Sequence, residues 1–365
     1  MDKGGAEMVE RKLAIDLNAE LIECHILGQY NEDLFEGREV SLRLRRNSIK
    51  KVFWLGSEKG LLHAIFSLCK LLRAEKYDVV ITHNAGLDII VGVAKLFISF
   101  KQIIAFHDYF FKSDFTRFYF FVWKFFIRRA DFCYAISDYV RKNVIDLFNI
   151  RKSRIRTVYN SFLPINKDSG EIKLRDELKI KNDEKIIVCA GRMNYGKGFD
   201  ICVRIFQQLR PNTSLIFVGT YNGKEEEEYW KTLRKMSMDS KRRDKIFFLG
   251  YREDLLSIIF QSDLFLHLAR HEGFGLVVLE AIYGGVPVVA SNVGGIPEVL
   301  SDTPFQTVDI NSENQIIEII NKYLSWDNQE KQENIALAQK VLSRYTSEKR
   351  TNEIVNIINL IVNIK

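Results

Sequence analysis

Short β-rich runs alternate with helix-patterned stretches from end to end of this chain, and that alternation constrains its fold more than any other feature. The runs are "LIECHIL", "YDVVITHN", "KQIIAFHD", "DFCYAIS" and "RIRTVYNS", then "KIIVCAG", "SLIFVG", "KIFFLG", "DLFLHLA" and "VPVVAS". Strands separated by helices need crossover connections, which lay them parallel with helices on both faces. The expected class is α/β, with doubly wound, Rossmann-like sheets whose ligands collect at the carboxyl ends of the strands. The two sets of runs are divided by "LPINKDSGEIKLRDELKIKNDE" at 163–184, which is polar and strand-poor. A single core stops growing at roughly 250–300 residues, and this chain has 365. Two domains are therefore expected, 1–165 and 166–340, facing a central cleft, with 341–365 as a C-terminal helix packing back on the first.

One feature departs from this pattern. A doubly wound sheet ordinarily opens with an apolar strand before its first glycine-rich turn, yet "KGGAE" (Lys3 to Glu7) begins almost at Met1. Either the true start lies upstream of Met1 or the N-terminal sheet has lost a central strand; since the loss would leave two rows of buried backbone groups unpaired, the upstream start is favoured.

Composition narrows the setting. With 47% hydrophobic residues, 27% charged and 5 prolines, the chain reads as globular rather than disordered. Cys24, Cys69, Cys133, Cys189 and Cys202 are odd in number and scattered, with no C-x-x-C pair. That disfavours a disulfide framework or a zinc site and favours a reducing compartment. The net charge of +6 is dispersed and permits an anionic partner without naming one. The opening "MDKGGAEMVERKLAIDL" has a helical pattern rather than the apolar core of a secretory signal. Lys95, Lys101 and Lys124 cut the longest apolar stretches below the ~18–20 residues a membrane span needs. The expected location is cytoplasmic, in solution or at the inner face of the cytoplasmic membrane.

"AGRMNYGKGFD", residues 190–200, places Gly191, Gly196 and Lys197 at the spacing of a nucleotide phosphate loop, but Gly198 stands where that loop needs a hydroxyl for its metal. The alternatives are a damaged loop, another kind of phosphate site, or a turn without ligand. The segment "RHEGFGLVVLEAIYGGVPVVASNVGGIPEVL", residues 270–300, discriminates among them. Glu272 and Glu280 form E-x7-E around Gly273, Phe274 and Gly275, at what reads as a helix start. Free N–H groups and the positive end of the helix dipole suit a phosphate there. The two carboxylates suit hydroxyls on either side of it, one from a ribose and one from a sugar. Arg192 and Lys197, at a strand-to-helix turn, supply the balancing cations and can grip a diphosphate without metal. The loop is read as a phosphate site other than a P-loop. No D-x-D pair, the usual anchor of a metal-bound nucleotide-sugar, occurs in the chain.

With these segments stand "GGAE" at the start, "FHD" at 106–108, "AISDYV" at 135–140, "VYNSF" at 158–162 and "FLGYRED" at 248–254. In this order and spacing the chain resembles the retaining, GT-B-fold glycosyltransferases of family 4, the "glycosyl transferases group 1" enzymes, over nearly its whole length. The resemblance implies that Arg192 and Lys197 bind the donor diphosphate, Glu280 the ribose diol, and Glu272 hydroxyls of the transferred sugar. The backbone of Gly273, Phe274 and Gly275 would lie beside that sugar. His107 matches the family histidine that reaches the donor sugar and acceptor. Gly4 and Gly5 match the loop that lets backbone approach the reaction centre. Gly191 and Gly219 would border the donor, and the backbone around Tyr251 and Arg252 the base. His107, Arg192, Lys197 and Glu272 are thus the expected catalytic set. One segment departs from the family pattern: "GTYNGKEEEE" follows "LIFVG" where a G-x-G turn is common.

The implied activity is transfer of a sugar, of hexosyltransferase type, from a nucleotide-diphosphate-sugar to an acceptor hydroxyl, with retention. No metal or other cofactor is required, and the cell process is bacterial surface polysaccharide or lipopolysaccharide synthesis. The implied partners are a nucleotide-sugar donor and a saccharide or lipid-linked saccharide acceptor. Two rivals stand beside this reading: a nucleotide-sugar epimerase of the same fold, and a catalytically silent interaction subunit. The segment "YFFKSDFTRFYFFVWKFFIRRADF", 109–132, interleaves rings and cations. Arg117, Lys124 and Arg128 share one helical face, which fits either an anionic bilayer surface or a core helix with a charged exterior. Nothing else in the chain supports nucleic-acid binding.

Overall fold

The structure, a computed structural model, describes residues 5–19, 22–28, 52–54, 59–162 and 173–362. It divides into two compact units: Met1–Leu163 with Tyr345–Lys365, and Pro164–Arg344.

The first unit opens with helix α1 (Gly5–Ala19) and a parallel pair, β1 (Ile26–Gly28) and β2 (Val52–Trp54). There follow α2 (Leu61–Glu75), β3 (Val79–Thr82), α3 (Ala85–Ala94), β4 (Lys101–Phe106), α4 (Arg117–Arg129), β5 (Phe132–Ala135), α5 (Asp138–Phe148) and β6 (Ile155–Thr157). Strands β3-β4-β5-β6 lie side by side in that order, all parallel. The run "KQIIAF" of β4 is buried at every position but its first, as a strand covered on both faces must be. Alternation along the strand then sorts the core. Ile103 and Ala105 join Leu13 and Leu17 of α1 and Ile354, Ile357 and Ile361 of the C-terminal helix, Ser347–Val362. Phe106, on the opposite face, packs against Trp123 and stacks on Phe148.

Local signals set the helix starts. Asn84, Thr116 and Ser137 each accept a hydrogen bond from a backbone N–H three residues on, capping α3, α4 and α5. At Gly92 a Cβ would sit 2.5 Å from the Phe126 ring, so glycine is what lets α3 and α4 approach this closely.

The second unit contains α6 (Leu174–Leu178), β7 (Lys185–Ala190), α7 (Phe199–Phe206), β8 (Thr213–Val218), α8 (Lys224–Met238), β9 (Ile246–Phe248) and α9 (Leu255–Phe260). It continues through β10 (Leu264–His267), α10 (Leu276–Tyr283), β11 (Val288–Ser291), α11 (Ile296–Leu300), β12 (Thr307–Val308), α12 (Glu313–Leu324) and α13 (Asn328–Gln339). The strand order is β12-β11-β10-β7-β8-β9, all parallel. Each of the ten runs read from the sequence contains a strand; β2 and β12, three and two residues long, are too short to show a period. The chain builds β8 and β9 on one side of β7, then returns to its other side with β10. The loops leaving β7 and β10 therefore start from adjacent strand ends, at the point where the winding reverses.

Candidate active site

The β7 loop is shaped by glycines at positive φ and by close backbone approaches. Gly191 has φ of 143°, and a Cβ on Gly219 would lie 1.9 Å from the Gly191 carbonyl oxygen. Asn194 caps a short turn, Tyr195–Lys197, by accepting from the Lys197 N–H. Gly198 then takes a left-handed conformation, and a Cβ there would meet the Leu268 carbonyl at 1.9 Å. Helix α7 accordingly begins at Phe199, after the turn of 3-10 helix at Tyr195–Lys197. This packing ties the β7 loop to the β10 loop, and the Arg270 N–H adds a hydrogen bond of 2.7 Å to the Gly196 carbonyl.

Two loops so joined bring their charges together. Lys197 Nζ lies 2.7 Å from Glu272 Oε2, and His267 Nε2 lies 2.9 Å from the same oxygen. Burial works to raise the Glu272 carboxyl, but the Lys197 charge and the hydrogen bonds from His267 and Lys197 outweigh it and hold the group well below the usual carboxylate range. Glu272 is thus a fixed anion with one oxygen committed to two partners. The β11 loop fixes its backbone: Gly294, at φ of 61°, would put a Cβ 1.7 Å from the Glu272 carbonyl, which also accepts from the Gly295 N–H.

Gly275, at φ of 99°, turns the chain into α10, and no side chain caps that helix. Phe274 and Gly273 are buried beside it. Glu280 lies one turn further on. Its surface is only partly covered, yet burial of the carboxyl pushes its pKa up to about 7. A second polar knot braces the same loops. Arg270 donates both terminal nitrogens to the Asp200 carboxylate at 2.8 and 2.7 Å, Tyr229 donates to it at 2.7 Å, and the guanidinium covers the Tyr195 ring at 3.8 Å.

The remaining expected residues of this unit are placed differently. Arg192 is 59% exposed, with Glu226 as a distant partner at 3.7 Å. Tyr251 is 42% exposed. Arg252 is held by Glu177 and Asp254, each at 2.7 Å, which pushes its pKa up. Gly4 lies outside the described residues, and Gly5 is the first residue of α1.

His107 belongs to the first unit, just beyond β4. Its Nε2 lies 3.0 Å from His83 Nδ1, and a buried ion pair of Glu10 on α1 with Arg350 on the C-terminal helix adjoins both rings. His83 and His267, which the resemblance does not name, each contact an expected site residue, and each stands at the carboxyl end of a parallel strand, where a polar side chain is a signal worth weighing. Arg117, Lys124 and Arg128 do not form one outward face: Lys124 turns inward, donating to the Leu147 carbonyl and lying over Phe120.

Residues 171–340 match the family model described as glycosyl transferases group 1, and residues 3–162 match that of Glycosyltransferase Family 4. The chain is 29% identical over 175 residues to an uncharacterized glycosyltransferase of Methanocaldococcus jannaschii, covering 46% of this chain and 43% of that protein. It is 28% identical over 189 residues to the O-antigen biosynthesis glycosyltransferase WclY of Escherichia coli, covering 51% and 49%. These matches span about half the length of the relatives or less. Among solved structures, Anabaena HepE in complex with UDP-glucose is similar in fold, with a TM-score of 0.83 at 21% identity over 99% of this chain and 97% of that one. Two parallel, doubly wound units and two family models that together run from residue 3 to residue 340 lead to one conclusion: the chain belongs to the GT-B-fold glycosyltransferases of family 4, a family of transferase enzymes.

Proposed function

We propose that the protein transfers a sugar from a nucleotide-diphosphate-sugar to an acceptor hydroxyl without metal and with retention, in the synthesis of a bacterial surface polysaccharide. The observation that carries this reading is the Lys197–Glu272–His267 cluster beside the uncapped start of α10, at the reversal point of the second sheet. Lys197 and the first N–H groups of α10 meet the diphosphate, with the exposed Arg192 in reserve. Glu272, oriented by two donors, accepts from hydroxyls of the sugar, and Glu280 accepts from the ribose diol. As the bond from the anomeric carbon to the diphosphate oxygen breaks, negative charge grows on that oxygen and Lys197 stabilises it. The acceptor oxygen bonds to the anomeric carbon, and its proton passes to the departing phosphate. HepE, solved with UDP-glucose, makes UDP-sugars the first donors to test.

The test uses thermal shifts with UDP-, GDP- and ADP-sugars in excess EDTA, on the parent and on Glu280→Gln. One base class should stabilise the parent by an amount set by concentration over affinity, and the variant should not respond. Glu280 adds a pH signature. A carboxyl raised from 4.5 to about 7 makes the folded state lose stability as pH rises through that window. At pH 8 the ligand-free Glu280→Gln variant should therefore be more stable than the parent by about 3 kcal/mol. No response of the parent to any donor would overturn the reading.

A lipid-linked acceptor is proposed on the outward face of α4. Phe118, Phe121 and Phe125 are 80, 63 and 52% exposed at helical spacing, with Arg117, Arg128 and Arg129 exposed around them. Rings at headgroup depth flanked by cations suit an anionic bilayer surface. Among the described residues no helix is long and apolar enough to cross a membrane. Cosedimentation with phosphatidylglycerol vesicles should fall by about tenfold or more when all three phenylalanines become serine; binding within twofold of the parent would remove this part of the proposal.

A further inference from the structure

We propose that the Glu10–Arg350 ion pair acts through His83 to fix the tautomer of His107, holding its proton on Nε2 and leaving Nδ1 bare. This deepens the glycosyltransferase reading and rests on it for the catalytic role of His107.

Five elements of the first unit converge here. Glu10 comes from α1, His83 follows β3, His107 follows β4, Tyr134 lies on β5, and Arg350 on the C-terminal helix. Arg350 is 3% exposed and donates to Glu10 Oε1 and to the Val9 carbonyl. Burial works to raise the Glu10 carboxyl, but Arg350 and the two histidines outweigh it and bring it down to about 2. Burial lowers both histidines, His107 to about 4, so at neutral pH each ring is uncharged and carries one proton. Burial raises the Tyr134 phenol, and it stays protonated.

Two proton arrangements fit the 3.0 Å contact between His83 Nδ1 and His107 Nε2. In one, His107 Nε2–H donates to His83 Nδ1, and the His83 proton sits on Nε2, 3.6 Å from Glu10 Oε2. In the other, His83 Nδ1–H donates to His107, which turns a bare His83 Nε2 lone pair toward the carboxylate. That second arrangement also buries an N–H on His107 Nδ1, which has no hydrogen-bond partner among the described residues. An anion favours the N–H that points at it, so Glu10 selects the first. His107 Nε2 is itself 3.5 Å from Glu10 Oε1, which adds to the same preference. Which nitrogen of a histidine carries the proton is set by the partner of the other. The result is a bare lone pair on the buried His107 Nδ1, where the other tautomer would enclose an N–H without an acceptor. Glu10 and Arg350 are positioning residues, since they act through the two rings.

The test compares the parent with the double variant Glu10→Leu/Arg350→Leu, because replacing both members of a buried ion pair with apolar residues generally preserves folding. Imidazole 15N–1H correlation spectra of histidine-labelled protein, with His107 assigned from the His107→Gln spectrum, report the tautomer without any substrate. The expected parent signal is His107 protonated on Nε2 alone. In the double variant both tautomers should be present, and kcat should fall about ten- to a hundredfold with the donor KM within twofold. Glu10→Asp, which keeps the anion, should restore the single tautomer. His107 protonated on Nδ1 in the parent overturns the proposal whether or not the double variant folds. So does a single Nε2–H signal that persists in the double variant. Failure of the glycosyltransferase reading would show separately, as a parent with the expected tautomer and no turnover.

Discussion

Lys197→Ala is expected to lower turnover about a hundred- to a thousandfold, the usual effect of deleting one preorganised donor to a developing oxyanion. The size follows from where the ammonium sits. It is three-quarters buried, 2.7 Å from a carboxylate, at the junction of two loops pressed together where Gly198 leaves no room for a Cβ beside the Leu268 carbonyl. If, as proposed, its charge acts mainly on the departing diphosphate, kcat should fall more than donor KM rises. Lys197→Arg keeps the charge but replaces a compact ammonium with a planar fork, and should recover only part of the rate. Steady-state kinetics with a UDP-sugar in EDTA would measure all three proteins. Activity of Lys197→Ala within twofold of the parent would sink the assignment of the donor site. Arg192→Ala is expected to lose at least about tenfold, less than Lys197→Ala because the guanidinium is mostly in solvent.

The second large effect concerns stability. Glu10→Gln leaves the Arg350 guanidinium buried without its anion, and breaking one side of such a pair costs about 3–5 kcal/mol. Replacing both partners with leucine should restore most of that loss. The intact pair also has a pH signature. A carboxyl lowered from 4.5 to about 2 contributes stability that is fully present above pH 4.5 and is lost as pH falls toward 2. The loss amounts to about 3 kcal/mol. Urea unfolding midpoints from pH 6 down to pH 2 would show it in the parent and not in Glu10→Gln. An equal acid slope in both proteins would mean that Glu10 is not an ionised partner of Arg350.

The strands were legible because each central one is buried on both faces and reads as a continuous apolar run, as in "KIIVCA". That Lys197 and Glu272 come together was legible because both stand in short glycine-rich turns that end buried strands, where Gly191, Gly198 and Gly275 take positive φ. His267 and His83 were not, since a histidine ending a strand looks the same whether it braces a carboxylate or fills a core. The face of α4 was misread for a related reason. Spacing put Lys124 with Arg117 and Arg128, but its flexible stem reaches back to the Leu147 carbonyl and leaves phenylalanines outermost.

By itself, then, the sequence determined the α/β class, the division into two units and the glycine-shaped turns that follow β7 and β10. These follow from periodicity and backbone conformation, which act over a few residues. Tertiary structure alone decided that Glu10 meets Arg350, 340 positions away, and that Lys197 and His267 share one oxygen of Glu272. Such pairings depend on which strand ends lie side by side. In a parallel sheet that order is set by long crossovers, and no local spacing encodes it.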